Sequence, residues 1–301
     1  MKIENIKNKN LRKSNDAVVG IVVALLLVGL FLSVLMIVQT TFIPNWMEQL
    51  EAEHMDEVGN QFAQLKYAVD IQSLVGEYKG PNIPKMFTSI TLGSKEYPIL
   101  RSSRAFGSLE IIPDFYAINI TNDTAGYFAN YSIGGIKYIS KNSYFINQHF
   151  AFEAGAIILE QYEGNVMAIE PSIDIEHSVN NNIIAFNMTN LSTNIGGKPS
   201  VSGYGTYPVR TEFFGIESNL ITNISAINIY TDHPYVWKSY INKTFNRSGF
   251  DPVDIYDTTI NGKNLEIDFS TSNGEGLFFD IILNISNIKV QLGPGWVETN
   301  N

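Results

Sequence analysis

The chain has 301 residues, 20 Lys plus Arg against 30 Asp plus Glu, a formal net charge of −10, and no cysteine. The negative balance argues against a nucleic-acid partner and against docking on anionic lipid. Without cysteine there are no disulfides, thiolate nucleophiles, Cys-ligated zinc or iron–sulfur clusters, so the fold must stand on its packed core.

The first sixteen residues, MKIENIKNKNLRKSND, carry Lys2, Lys7, Lys9, Arg12 and Lys13 against Glu4 and Asp16. Ala17–Gln39 follows without a charged residue. As a helix at about 1.5 Å per residue it spans roughly 34 Å, enough to cross a hydrocarbon core of about 30 Å. Glu48, Glu51, Glu53, Asp56 and Glu57 come after it. A basic flank before the span and an acidic one after it predict a cytoplasmic N terminus and an outward remainder. The run is longer than a secretory signal, and no Ala-x-Ala cleavage site follows it. Two possibilities stand: an uncleaved signal anchor, or a leader cut just before the apolar run.

Beyond the span, Pro44 suits either the first turn of a new helix or a kink in a continuous one, and Trp46 suits a membrane interface. Trp46, Leu50, His54, Val58, Phe62, Leu65 and Val69 then recur at helical spacing. The opposite face is acidic at first. This stalk helix needs a cover for its apolar stripe, either the chain's own downstream domain or neighbouring copies. His54 falls on the stripe and reads as a packed histidine, with pH sensing as the sharper alternative.

From Gly76 onward the pattern changes. Gly76, Gly80, Pro81 and Pro84 are expected to break the helix. Short β-branched and aromatic runs then alternate with Gly, Asn, Asp, Ser and Pro clusters. Candidate strands include 88–92, 108–112, 116–120, 156–161, 166–169, 183–188, 212–216, 225–231, 264–269, 278–282 and 287–291. Tyr235–Phe245 reads as one short helix behind Pro234. The expected architecture is α+β: a long N-terminal helix, transmembrane plus amphipathic stalk, followed by a mainly antiparallel β-sandwich. The segments are a leader at 1–14, the two helical parts at 15–75, and a β-rich outer domain at 76–301. The Gly-, Ser- and Asn-rich stretch at 190–205 is the best internal boundary.

Sites with chemistry are sparse. Asn-x-Ser/Thr sequons stand at Asn119, Asn122, Asn130, Asn187, Asn190, Asn223, Asn242, Asn246 and Asn284, all after the apolar span. That distribution fits glycosylation of an outer surface, where glycans would also shield edge strands. Asp251, Asp254 and Asp257 are spaced for a loop calcium site but lack the Asp-x-Asp-x-Asp-Gly pattern. Asp174 and Glu176 fall on one strand face, which by itself reads as solvated. The Gly203–Gly205 pair lacks a third glycine and a following helix. No Gly-x-Ser-x-Gly or His-Glu-x-x-His is present. No cofactor and no catalytic residue is assigned, and the chain is not read as an enzyme.

Two stretches resemble known proteins. Arg12-Lys13-Ser14-Asn15-Asp16-Ala17-Val18-Val19-Gly20 resembles the start of archaeal type IV pilins and flagellin-like proteins. By that resemblance a prepilin peptidase would cut between Ser14 and Asn15, although Ser14 stands where Gly or Ala is usual and Ala17 where many relatives have Pro. The second set runs through Pro44, Trp46, Glu51, Glu53-His54-Met55, Phe62, Leu65-Lys66, Ile90-Thr91-Leu92-Gly93, Tyr97-Pro98 and Phe106-Gly107-Ser108-Leu109, with Tyr144-Phe145 and Phe152-Glu153-Ala154-Gly155-Ala156. It is similar to uncharacterised archaeal surface proteins with pilin-like N termini, and these segments span about half the chain. The resemblance implies a surface protein, structural or adhesive, with the lipid bilayer, copies of itself and the pilus assembly machinery as partners. The alternative is a permanent single-pass anchor carrying a ligand-binding or envelope-scaffold domain.

Overall fold

The computed structural model describes residues 4–95, 104–122, 128–177, 182–193, 197–269 and 279–293. It divides into two units, Met1–Leu50 and Glu51–Asn301.

The described residues of the first unit are helical. Helix α1 (Glu4–Ile37) passes into a π-helical turn (Val38–Phe42) and then into α2 (Ile43–Lys79). Two hydroxyls in this apolar stretch are satisfied by their own backbone: Ser33 Oγ donates to the Gly29 carbonyl and Thr40 Oγ1 to that of Met36, each at 2.8 Å. That removes the cost of an unpaired polar group among apolar neighbours. The π-turn ends two residues before Pro44. A proline inside a helix gives no N–H and crowds the carbonyl four residues back. The wider turn, closed by the Ile43 N–H on the Val38 carbonyl, carries the helix past that position. Pro44 therefore neither starts a separate helix nor ends one.

In the second unit, α2 continues to Lys79, past the expected break at Gly76. Gly76 belongs to the helix because a Cβ there would lie 2.5 Å from the Phe213 ring. The stop comes at Gly80, whose φ of +70° and N–H bond to the Gly76 carbonyl make the usual left-handed end. Fourteen strands follow among the described residues: β1 (Met86–Thr91), β2 (Phe106–Asn122), β3 (Phe128–Lys141), β4 (Gln148–Glu153), β5 (Ala156–Gln161), β6 (Gly164–Ile169), β7 (Ser172–His177), β8 (Asn182–Thr193), β9 (Ser200–Gly203), β10 (Thr206–Ile221), β11 (Ile224–Tyr230), β12 (Asp257–Asn261), β13 (Asn264–Asp268) and β14 (Phe279–Leu292). Helices α3 (Pro234–Arg247) and α4 (Pro252–Ile255) lie between β11 and β12.

The strands form two sheets. One runs β1-β10-β14-β8-β7; the other runs β12-β13-β11-β2-β3-β4-β5-β6, with β9 beside β2. Every pairing is antiparallel except β14 with β8. Several separate expectations merge. The runs 108–112 and 116–120 are one strand whose register shifts across Pro113. The run 287–291 belongs to the same strand as 279–282, while Phe278 lies outside the described residues. Strands β3, β4, β9 and β12 were not anticipated.

Apolar side chains of both sheets meet in two clusters. The larger gathers Ile118, Phe186, Ile229, Leu283 and others around Trp237 of α3. The second joins Ile136, Phe152, Val209 and Val290 to Met55, Val58, Phe62, Leu65 and Val69 of α2. The cover for the stalk stripe over 54–69 is thus the chain's own β-rich domain. Each large side chain buried there stabilises by roughly 1.5–3 kcal/mol relative to exposure.

Candidate functional site

Two features stand out, one in each unit. The first is the apolar span. From Val18 to Ile37 every Val, Leu, Ile, Phe and Met side chain except that of Leu35 is 49 to 68 % exposed, and none of the long apolar window is buried. A soluble helix hides at least one stripe; this one hides none. Phe42 and Trp46 follow with ring centroids 6.0 Å apart, both about half exposed. Ser14 and Asn15, the two sides of the expected cleavage, lie within the backbone of α1.

The second feature is a buried ionic cluster that sequence reasoning missed. The β4–β5 hairpin turns through Ala154 and Gly155, both at positive φ. Its arms carry Glu153 and Glu160. His233 stands at the N-terminal end of α3, where Pro234 supplies the fixed φ that starts the helix. His233 Nδ1 meets Glu153 Oε2 at 2.7 Å and Nε2 meets Glu160 Oε1 at 2.9 Å. Trp237 Nε1 donates to Glu153 Oε1 at 2.7 Å, and Thr231 Oγ1 donates to the same oxygen. Lys137 Nζ holds Glu160 at 2.7 Å. Glu153 is fully buried and His233 nearly so. Burial alone would lower the His233 pKa, but its hydrogen bonds to the two carboxylates raise it to about 9. Burial would raise that of Glu160, but His233 and Lys137 hold it at about 2. Both ring nitrogens face carboxylates, so the imidazolium has no lone pair for proton abstraction or metal ligation. What the cluster does is fasten α3 to the hairpin.

A second carboxylate is captured differently. Glu51, fully buried on α2, accepts the consecutive backbone N–H groups of Ser143, Tyr144 and Phe145 at 2.7–3.1 Å. Successive N–H groups in a turn form a natural anion cradle. Three turns along, Gln61 exchanges hydrogen bonds with Thr91, and Gln72 reaches the carbonyls of Pro84 and Thr211. His54 is buried. Tyr138 spends its hydroxyl proton on the Leu92 carbonyl at 2.8 Å, so His54 Nε2–H donates to Tyr138 at 3.1 Å. Burial lowers the pKa of His54.

The remaining expected sites scatter. Asp251 caps α4 through the Val253 N–H, Asp254 and Asp257 are exposed, and no metal-holding group of three His, Asp or Glu side chains forms among the described residues. Asp174 and Glu176 are exposed on β7. The sequons divide. Asn187 and Asn284 face each other across the parallel β8–β14 pair, with Asn284 Nδ2 donating to Asn187 Oδ1 at 2.9 Å. Asn190 donates to Asn287 and accepts from the Gly134 N–H. Asn119 lies between β3 and β11 with its Oδ1 buried. Asn122 is held to the Thr222 carbonyl and Asn242 to the Tyr256 hydroxyl. Asn130, Asn223 and Asn246 are exposed and form no side-chain hydrogen bond among the described residues.

Comparison with protein-family models, with curated proteins and with solved structures gives no match.

Proposed function

We propose that this chain is a membrane-anchored surface protein, structural or adhesive, of the pilin-like kind that its N-terminal sequence resembles. The observation that carries the reading is the apolar helix at Val18–Ile37, none of whose long apolar window is buried. Such a helix is stable only where lipid or other apolar helices surround it. The basic residues before it and the acidic ones after it orient it with the N terminus in the cytoplasm. The β-rich domain, read as a two-layer sandwich, is then presented outside on the stalk. In this reading a prepilin peptidase cuts between Ser14 and Asn15, and the freed helices of several copies pack into a filament core.

A second reading is favoured by a specific observation. The stalk stripe from His54 to Val69 is sealed by the chain's own domain, so it asks for no neighbouring copies. That suits a permanent single-pass anchor displaying a ligand-binding or scaffold domain. N-terminal sequencing of the protein isolated from its native membrane separates the two. A start at Asn15, with the protein recovered in sheared extracellular filaments, supports assembly. A retained leader, with all protein in the membrane fraction, supports the permanent anchor. Full release from membranes by alkaline carbonate, without filaments, would sink both.

A further inference from the structure

Thr189 of β8 and Ser286 of β14 stand opposite each other across the parallel pair, and Ile216 of β10 is next in the same row. Two residues on, Leu191 and Ile288 of the same sheet face lie in the apolar cluster that takes in α2. Two residues back, Asn187 and Asn284 continue the face, with Ser172 of β7 beside Asn187. The face turned to α2 therefore changes from apolar to polar at Thr189 and Ser286. There a hollow of about 420 Å³ separates helix from sheet, within the range of small-molecule sites, about 300–1,000 Å³. Its helix wall is Lys66, Asp70, Ser73, Leu74 and Glu77, one helical face. Thr189 and Ser286 are only 5 and 6 % exposed, and neither side chain makes a hydrogen bond among the described residues. The buried Ser73 hydroxyl oxygen has no partner either. Buried polar groups are nearly always paired, because an unpaired one forfeits its bonds to water. Three around one hollow mark a place where the partner comes from outside.

The lining narrows the chemistry of that partner. Lys66 is the only cation among the lining residues, and Asp70 takes it at 2.8 and 3.0 Å, so an anion finds no free counter-charge. A purely apolar ligand would leave the hydroxyls unpaired. We propose that the hollow binds a neutral sugar, a hexose unit whose hydroxyls both donate and accept. Ser73, Thr189 and Ser286 meet its polar edge, together with Ser172, which accepts from Asn187 and keeps its own proton to give. The exposed side chains of Leu74 and Ile216 meet the C–H face of its ring. Two sources can supply the hexose, because Asn187 and Asn284 are themselves sequon residues: the chain's own glycan, or a glycan of a neighbouring molecule. The hollow lies wholly in the second unit, so a failure to bind sugar would leave the membrane anchor and both of its readings untouched.

The test uses the full chain made in a host without N-glycosylation and held in a detergent that has no sugar headgroup. Glucose, galactose, mannose and N-acetylglucosamine are added singly, and saturation-transfer NMR reads the contact of each with the protein. At least one is expected to bind in the millimolar range. The double variant Thr189→Val/Ser286→Ala is expected to weaken that binding about tenfold, through the loss of two hydrogen bonds. Its Tm is expected to be unchanged or higher, because hydroxyls without partners leave the interior. Should that variant not fold, Ser73→Ala on the helix wall carries the same test, with a loss of about threefold. Binding of none of the four sugars overturns the proposal. So does binding that is unchanged in the variants, or glucuronate bound more tightly than every neutral hexose. Glycopeptide mapping of the native protein then separates the sources. Sugar linked at Asn187 or Asn284 makes the occupant the chain's own glycan, and both residues bare makes it a neighbouring molecule's.

Discussion

At the residue scale, His233 and His54 pull stability in opposite directions as pH changes. The folded-state pKa of His233 lies near 9 against an ordinary 6.5, so its contribution is complete below 6.5 and is lost as pH rises through 9. Glu160 is held near 2 against an ordinary 4.5, so its contribution is complete above 4.5 and fades as pH falls toward 2. His54 is held below 6.5, so acidification through that value works against the fold. Urea unfolding of the full chain in detergent is expected to be hardest near neutral pH and to ease in alkali. In His233→Ala the alkaline loss disappears, and stability near pH 7 falls by about 3–5 kcal/mol because Glu153 is left buried without its cation. An unchanged alkaline limb in that variant would show that the titrating group lies elsewhere. Glycopeptide mapping of the native protein is expected to find sugar at Asn130, Asn223 and Asn246. Occupied Asn190, whose two amide atoms are both spent inside the fold, would contradict this placement.

At the element scale, α2 shows what periodicity tells and what it leaves open. The spacing from His54 to Val69 announced an apolar face, and that face is buried. Spacing does not say what covers a face, because the covering residues come from Ile90, Phe150, Val209 and Val290, far along the chain. Gly76 misled for a related reason. Glycine normally weakens a helix, but here a distant ring, Phe213, fills the space a side chain would take. The ionic cluster was illegible because Lys137, Glu153, Glu160 and His233 carry no motif; only the hairpin and α3 bring them together. The Phe-Glu-Ala-Gly turn and the His-Pro helix start were the local traces available. Phe62 tests the packing of this element. It is fully buried, stacks on Phe150 at 5.6 Å and meets Tyr138 edge-on at 6.4 Å. Phe62→Ala is expected to cost about 3–5 kcal/mol in thermal or urea unfolding. A loss below 1 kcal/mol, the scale of a surface change, would mean that α2 is not seated on the sheets in solution. Glu51→Ala, which strands three backbone N–H groups, is expected to cost about 1–3 kcal/mol and to raise hydrogen exchange at 143–145.

At the scale of the whole molecule, the order of parts was legible: basic leader, apolar span, amphipathic helix, strands. Long uncharged runs and helical periods are local signals, and they survive without knowledge of the fold. Sheet order was not legible. The parallel β8–β14 pair joins segments about a hundred residues apart, and nothing near Asn187 or Asn284 announces it. The topology has its own check. With intact cells, an impermeant amine label is expected to reach Lys85 and Lys243, which are exposed in the domain. It is expected to spare the lysines of the leader. Labelling of Lys7 or Lys9 in sealed cells would invert the orientation.

The cradle at Glu51 has a mechanical meaning. Glu51 is the first residue of the unit that holds the sheets, and from there to Gln72 the helix is tied by Glu51, His54, Gln61 and Gln72. At about 1.5 Å per residue these ties are spread over roughly 30 Å of helix. A tug along the axis loads them side by side, in shear, so none gives way alone and the domain resists being stripped from its stem. The carboxylate with three backbone grips sits at the end of that row nearest the anchor, where the tug arrives first.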